Sequence, residues 1–356
     1  LWVSTSFGYH FVVFGAMLEN AGAGNDLASL SFALLGHLRG GPAKAEVVAS
    51  GLTGLIYGSS SANVLTTGPI TIMLMKKVGF SSEKAGAVEV AASSNGQIMP
   101  PVMGAAAFLM VEYIDMPYSQ LIKHAFIPAL LAYGSLLYIV HLEACRLGMQ
   151  GIPRSTGLRQ RLIGWGITSS ALVVIMGAIY FLSAWIPTLF GPAAPAVFIF
   201  LLALGYIALV VLSSRYPDLP DNLDHEALEQ LPAVKPILLT GLHFLLPIVT
   251  LVWCLMILEM SPGLAAFYAC LFMAVILLTH KPLVAFIRRQ PVMPAVREGC
   301  RRIIGSLIGG GRNMIGIGLA TACAGIIVGA VSLTGVGQVL AAVVETLSMG
   351  SLTLVL

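Results

Sequence analysis

Two short polar segments interrupt long apolar stretches in the first third of the chain. The first is GSSSANVLTTG at residues 58–68, and the second is SSNGQIMPP at residues 93–101. Serine hydroxyls, an asparagine amide and backbone carbonyls released from a helix are oxygen ligands suited to a small cation such as Na⁺. The helix that restarts after such a break offers free N–H groups and a positive dipole end to an anion. The first segment therefore predicts a site for a cation and a carboxylate.

The composition indicates the medium in which these segments lie. The chain has 356 residues, of which 57% are hydrophobic and 10% charged, and its mean hydropathy is +0.90. A soluble domain is roughly 25% charged, so we predict an all-α polytopic membrane protein in contact with lipid. The net charge of +3 gives no indication of nucleic-acid binding. The predicted spans are 2–18, 124–142, 162–182, 192–212, 236–257, 263–279, 303–332 and 338–356.

The distribution of Lys and Arg sets the predicted orientation. The basic loops 143–161 and 280–302 are assigned to the cytoplasm, and the mostly acidic loop 213–235 follows them there. The segment 45–75 is flanked by Arg39 and Lys44 on one side and by Lys76, Lys77 and Lys84 on the other. Both flanks stay cytoplasmic only if 45–75 enters the membrane and returns. We also count its two arms as about 12 residues each, too short to span. The segment is therefore predicted to be a re-entrant helical hairpin with GSSSANV at its tip.

The second segment predicts a broken helix. Ser94, Asn95, Gly96 and Gln97 are followed by Pro100 and Pro101, and proline lacks the N–H that a continuing helix needs. Two discontinuous helices in one half of a transporter point to a binding site at the membrane midplane. The alternative is that the small residues serve only close helix packing.

These segments also carry a family resemblance. The runs GGPAKAEVVASGLTGLIYGSSSANVLTTGPITIMLMKKVGF and AGAVEVAASSNGQIMPPVMGAAAFLM resemble the large membrane subunit of tripartite ATP-independent periplasmic (TRAP) transporters. GQIMPPVMGAAAF resembles the fused permeases that work with TAXI-type binding proteins. The resemblance is specific over residues 7–125 and looser beyond them.

The resemblance implies a secondary active permease and not an enzyme. It implies uptake of an organic anion, usually a carboxylate, driven by Na⁺, or by H⁺ in some members. It implies an inverted-repeat elevator fold, a TAXI-type extracytoplasmic binding protein, a small membrane subunit or its fused equivalent, and a location in a bacterial or archaeal cytoplasmic membrane. No cofactor and no transition metal are expected.

The resemblance also assigns residues. The expected ion ligands are Gly58, Ser59, Ser60, Ser61, Asn63, Ser94, Asn95 and Gly96. The expected substrate contacts are Ser61, Asn63, Thr66, Thr67, Gln97, Pro100 and Pro101. Two charged residues inside apolar segments, Glu89 and Arg312, are candidates for coupling or gating. As alternatives, Glu89 pairs with a lysine or caps polar backbone, and Arg312 snorkels to the interface.

A weak internal alignment matches 18–30 with 331–343, pairing Gly22 with Gly335 and Gly24 with Gly337. The second hairpin expected from an inverted repeat is absent, so we interpret the chain as a fragment with an incomplete second repeat. The predicted divisions are a scaffold helix and arm (1–44), the hairpin and broken helix (45–123), connecting and scaffold helices (124–302), and the start of the second repeat (303–356).

Two alternatives to a coupled carrier stay open. The first is a passive channel or a non-transporting scaffold. The second is an intramembrane serine protease, in which Ser59 would be the nucleophile and His10 or His243 the base. Each of these histidines is otherwise interpreted as a lone residue satisfied within the core. The five cysteines are scattered without metal-ligand spacing and are interpreted as free thiols.

Overall fold

The structure is a computed structural model that describes residues 8–104, 107, 110, 111, 114, 116–149, 185, 186, 188–216 and 234–348. Every regular element within these residues is a helix, which confirms the predicted all-α class. The α-helices are α1 (Tyr9–Ala21), α2 (Ala23–Leu35), α3 (Gly41–Tyr57), α4 (Ser60–Lys77), α5 (Ser82–Asn95), α6 (Tyr118–Arg146), α7 (Ala194–Ser213), α8 (Val234–Gly241), α9 (Leu245–Met256), α10 (Pro262–Ile287), α11 (Val292–Thr334) and α12 (Val336–Ser348). Short 3₁₀ turns cover Gly96–Ile98, Gly191–Ala193 and Leu242–Phe244.

Five helical segments are long and apolar enough to cross a membrane. They are Tyr118–Arg146, Thr188–Ser213, Pro236–Met256, Pro262–Ile287 and Val292–Thr334. They match the predicted spans 124–142, 192–212, 236–257, 263–279 and 303–332, whereas the predicted span 162–182 lies outside the described residues. Helices α3, α4 and α5 are not among these segments. Helices α3 and α5 are shorter, with 17 and 14 residues, and α4 and α5 are less apolar.

The predicted basic loop 280–302 is wrong. Helix α10 continues to Ile287 and α11 begins at Val292, so only a four-residue turn separates them. Lysine, arginine and glutamate are good helix formers, so charge alone does not end a helix. At 43 residues, α11 is about 65 Å long. That length exceeds the bilayer thickness, so its basic first turns extend beyond the hydrocarbon.

Helices α3 and α4 form the predicted hairpin, and α5 and α6 pack against it. We call α3–α6 the hairpin bundle. Proline at the start of α3 and a serine cap before α5, where Ser81 Oγ accepts from Lys84 N at 3.4 Å, set two of its helix starts. The arms have 17 and 18 residues, about 26 and 27 Å, so the predicted length of about 12 residues was wrong. The arms are longer because α3 starts before Lys44 and α4 already begins at Ser60.

The basic flanks of the hairpin lie at one end of the bundle. Lys44 Nζ is 2.9 Å from His141 Nδ1, and Lys84 forms an ion pair with Glu143. The starts of α3 and α5 therefore meet the end of α6. Since α5 begins five residues after α4 ends, both ends of the hairpin lie on this side, as the re-entrant prediction requires. The other end of α6, near Tyr118, lines a cavity with residues 259–262, between α9 and α10.

The remaining long helices form what we call the scaffold bundle, in which α1 packs against α10 and α11, and α10 contacts α7 and α9. Its core is apolar and includes Phe14, Leu251 and Met273, all fully buried. Phe198 of α7 stacks on Trp253 of α9 with ring centroids 3.8 Å apart.

The aligned glycines of the two proposed repeats adopt the same local geometry. Gly22 (φ +99°) separates α1 from α2, and Gly335 (φ +69°) separates α11 from α12. Each donates its N–H to the carbonyl three residues before it, at 3.0 and 3.4 Å. The inverted repeat itself stays a prediction. The predicted divisions after 44, 123 and 302 each fall within a helix, and they stay predictions.

Candidate functional site

The hairpin turns at Gly58 and Ser59. Gly58 has φ +56°, a left-handed conformation that favours glycine, and a Cβ there would collide with the carbonyl of Met103. Ser59 is extended, and its Oγ accepts from Ala62 N at 3.4 Å, which caps α4. Helix α4 thus begins three residues earlier than the expected restart near Asn63.

The second break follows α5. The helix ends at Asn95, a 3₁₀ turn covers Gly96–Ile98, and the backbone is irregular through Pro100 and Pro101. Gly104 N donates to Gln97 O at 2.7 Å, and Tyr118 Oη donates to the carbonyls of Pro101 and Val102 at 2.9 and 2.7 Å. These bonds hold the non-helical segment, as the proline pair predicted.

The two breaks meet. Gln97 Nε2 donates to Ser60 Oγ at 2.6 Å. One turn before the tip, a Cβ on Gly54 would lie 2.7 Å from Gly96 Cα, so glycine allows the backbones to touch. The predicted juxtaposition of the segments is therefore present. We call the place where the breaks meet, defined by Gly58, Ser60 and Gln97, the tip site.

The other predicted ligands divide between the surface and the hairpin interior. Ser61 and Ser94 are exposed, and Asn95 is half-buried. Asn63 lies inside the hairpin, where its Oδ1 accepts from Thr53 at 2.5 Å and its Nδ2 donates to Ser50 O at 3.2 Å. The predicted set therefore does not converge on one point.

The two threonines predicted to contact substrate, Thr66 and Thr67, lie in different surroundings. Thr66 Oγ1 lies 3.3 Å from Glu19 Oε1 on α1, which links the hairpin to the scaffold bundle. Thr67 lies inside the hairpin and donates to Glu89 Oε1 at 2.7 Å. Thr71, one turn further along α4, donates to Glu89 Oε2 at 2.5 Å. The described partners of Glu89 are thus hydroxyls, and among the described residues neither a lysine nor polar backbone bonds to its carboxyl.

Sequence reasoning missed the partner of Glu89, which is Glu46 on α3. Both carboxyls are fully buried, and the Thr67 hydroxyl lies within 3.4 Å of each. Ser50 donates to Glu46 at 2.5 Å, and Ser93 Oγ lies 3.5 Å from Glu89 and 3.4 Å from Ser50 Oγ. A signal was present in the sequence, because EVVAS at 46–50 and EVAAS at 89–93 repeat one pattern with glutamate four residues before serine.

Arg312 lies apart from these groups. It is an exposed residue of α11, which packs mainly against α1 and α10. Its candidate coupling or gating role stays a prediction.

The two histidines differ from one another. His10 contacts Phe267 edge to face, with centroids 6.1 Å apart. His243 is not alone, because it stacks on His280 with centroids 3.9 Å apart and its Nδ1 lies 2.7 Å from Thr240 O. This stack lines a cavity of about 700 Å³ between α2, α8, α10 and α11.

All five cysteines are free thiols, as predicted. Within the described part of the chain, no group of three or more His, Cys, Asp or Glu side chains is arranged to bind a metal ion.

Comparison with known proteins identifies relatives along the chain. Proteins named C4-dicarboxylate TRAP transporter large permease protein DctM are 29% identical over 178 residues in Pseudomonas aeruginosa and 28% over 180 residues in Vibrio cholerae. Each match covers 48% of this chain, and 40% and 38% of the relative, respectively. The DctM protein of Rhodobacter capsulatus is 28% identical over 187 residues, which are 48% of this chain and 42% of that protein. The chain thus matches about two fifths of the length of these relatives.

The family described as "Tripartite ATP-independent periplasmic transporter, DctM component" matches residues 3–205 and 178–356. These two matches together span nearly the whole chain, and the family consists of transporter components and not of enzymes. The alternative of an intramembrane serine protease with Ser59 as nucleophile is therefore wrong. With its five long apolar helices, the chain is a multi-pass membrane protein that belongs to the DctM family of TRAP transporter components.

Proposed function

We propose that this chain is part of the permease subunit of a secondary active uptake system for organic anions in a bacterial or archaeal cytoplasmic membrane. Relatives named for C4-dicarboxylates make a small dicarboxylate the first substrate class to test. A TAXI-type extracytoplasmic protein would deliver the anion, and a small membrane subunit or fused equivalent would complete the permease. The transport movement would be of the elevator type.

The observation that carries the proposal is the contact between the two breaks, where Gln97 Nε2 donates to Ser60 Oγ at 2.6 Å. Non-helical backbone at membrane depth is tolerated where it lines a cavity or is buried in protein. Here two such stretches converge at the start of an 18-residue helix, whose free N–H groups favour an anion. Hydroxyl and carbonyl oxygens around Gly58 and Ser60 supply ligands for a coupling Na⁺.

The test is uptake by the full-length permease in proteoliposomes with its small subunit and binding protein, using radiolabelled succinate as the probe. A coupled carrier requires both an ion gradient and the binding protein. Gln97→Ala is expected to lower uptake about tenfold, because a hydrogen bond of about 1–1.5 kcal/mol at the tip is lost. Gln290→Ala, an exposed glutamine in the turn before α11, is the matched control. Uptake without a gradient or without the binding protein would indicate a channel.

Sodium coupling has its own test. Ser60→Ala and Asn95→Ala are expected to raise the Na⁺ concentration for half-maximal uptake. Asn63→Ala is a poorer probe, because it also removes the bonds to Thr53 and Ser50 inside the hairpin. Unchanged Na⁺ dependence in the first two variants would contradict a sodium site at the tip.

A further inference from the structure

The Glu46–Glu89 pair lies deeper in the hairpin bundle than the tip site and is a separate cluster. Glu46 comes from α3 and Glu89 from α5, and α4 supplies the hydroxyl between them. Thr67 Oγ1 is 2.7 Å from Glu89 Oε1 and 3.4 Å from Glu46 Oε1, so the two carboxyls meet at one side chain. Gly68 lets α4 approach, since a Cβ there would already lie 3.4 Å from the Glu89 carboxyl.

The two carboxyls are not satisfied equally. Glu89 faces three hydroxyls, on Thr67, Thr71 and Ser93, at 2.7, 2.5 and 3.5 Å. This number of donors suits an ionised carboxylate. Glu46 accepts through Oε1, whereas its Oε2 is buried and has no hydrogen-bond partner among the described residues. A proton on this oxygen, directed at the second carboxyl, would satisfy it.

The charged and titratable groups described around the pair have other partners. Lys44 faces α6, where it contacts His141 at 2.9 Å. Tyr133 of α6 donates its hydroxyl to Ala92 O at 2.9 Å, and Glu19 of α1 lies beyond Thr66. Among the described ion pairs, none joins a lysine or arginine to Glu46 or Glu89. Two adjacent buried negative charges would cost several kcal/mol, so one of the two carboxyls must be neutralised.

We propose that Glu46 and Glu89 share one proton and form a proton-binding site inside the hairpin bundle. Binding takes one proton from water and changes the charge of the pair from −2 to −1, and release reverses this. The cluster is linked to the tip, because Asn63 bonds to Ser50 O and Thr53, and Ser50 bonds to Glu46. A role for this proton in ion coupling rests on the proposed function, whereas the shared proton itself does not.

The experiment is infrared spectroscopy of the purified full-length permease in nanodiscs at neutral pH. The C=O stretch of a protonated carboxyl is expected in the wild type. It is expected to be lost in Glu46→Gln and to shift in frequency in Glu89→Gln, where Glu46 keeps the proton without its partner. Glu143→Gln, which removes a carboxylate paired with Lys84, should leave the band unchanged. A band of equal intensity in all variants, or its absence from the wild type, would overturn the proposal. Loss of the wild-type band on addition of Na⁺ would also overturn it, in favour of a cation site.

A second variant keeps the test decisive if the glutamine variants do not fold. Thr71→Val retains both carboxyls but removes the donor to Glu89 Oε2, so it should shift the frequency of the band without abolishing it. An unshifted band would contradict the assignment to this pair. The band does not depend on transport, so failure of the uptake assay and failure of this proposal are distinguishable.

Discussion

The hairpin bundle and the scaffold bundle bury polar side chains in different ways. In the hairpin bundle Thr53 and Thr67 lie within hydrogen-bond distance of carbonyls of their own helices and also of side chains on a second helix. Thr67 links α4 to α5, and Thr53 links α3 to α4. In the scaffold bundle Thr250, Ser306 and Thr321 donate to carbonyls three or four residues earlier in their own helices. A hydroxyl satisfied within its helix needs no neighbour.

This difference indicates that the scaffold bundle is a structural framework and that the hairpin bundle holds the candidate site. The scaffold core consists of large apolar side chains, whose packing holds helices together without specifying a ligand. The hairpin interior holds a network in which Glu46, Asn63 and Glu89 each depend on a second helix. Buried polar groups carry a high desolvation cost unless they are fully bonded. Such a network is therefore sensitive to any ion that enters or leaves it.

The largest expected effect on stability lies in the scaffold. Phe14 of α1 is fully buried, and Phe14→Ala leaves a cavity that should cost about 3–5 kcal/mol of unfolding free energy. Denaturant unfolding in detergent measures this cost. Phe200→Ala, at an exposed position of α7, is the control and should have little effect. The Na⁺ dependence of any remaining uptake should not change. A changed dependence would contradict the conclusion that the scaffold bundle does not contribute to the ion site.

The next effect concerns the hairpin turn. Gly58→Ala meets both an unfavourable positive φ and the Met103 carbonyl, whereas Gly335→Ala has a similar φ and open space. The left-handed conformation should cost each variant about 1–2 kcal/mol. The collision with the Met103 carbonyl should cost Gly58→Ala a further unfolding free energy of about 1–3 kcal/mol. Thermal unfolding and uptake of the two variants are compared, and equal losses would mean that the tip does not touch the second break.

A smaller effect compares two buried threonines. Thr71→Val leaves Glu89 short of a donor and should destabilise by about 1–3 kcal/mol. Thr250→Val removes a hydroxyl bonded to Leu246 O in its own helix, and about 1 kcal/mol or less is expected. Chemical denaturation of both proteins measures the difference. If Thr250→Val proves the more harmful, bonding between helices is not what distinguishes the hairpin.

The smallest effect is expected at the basic end of the hairpin bundle. The Lys84–Glu143 pair is partly exposed, so Lys84→Met should cost about 0.2–1 kcal/mol and less at high salt. Lys123→Met, at an exposed position on α6, serves as the control. A loss of several kcal/mol that salt does not reduce would indicate that this end is buried in the assembled permease.

Much of this architecture could be predicted from the sequence. The long apolar spans follow from hydropathy, and the breaks follow from Gly58 and from Pro100 and Pro101, whose backbone restrictions are local. Helix ends were less predictable, because residues 280–302 are charged and yet compatible with helix. The partner of Glu89 could not be assigned, because Glu46 lies 43 positions away and meets it only when α3 packs on α5. The stacking of His243 on His280 was missed for the same reason.

The most direct test of the re-entrant hairpin is to determine on which side of the membrane each of its two ends lies. In a cysteine-free background of the full-length permease, Arg39→Cys and Ser82→Cys introduce thiols at exposed positions before α3 and after α4. A membrane-impermeant maleimide, applied to right-side-out and inside-out vesicles, reports which face each thiol reaches. A hairpin that enters and returns predicts labelling of both from the cytoplasmic face only. Labelling of the two positions from opposite faces would contradict the account.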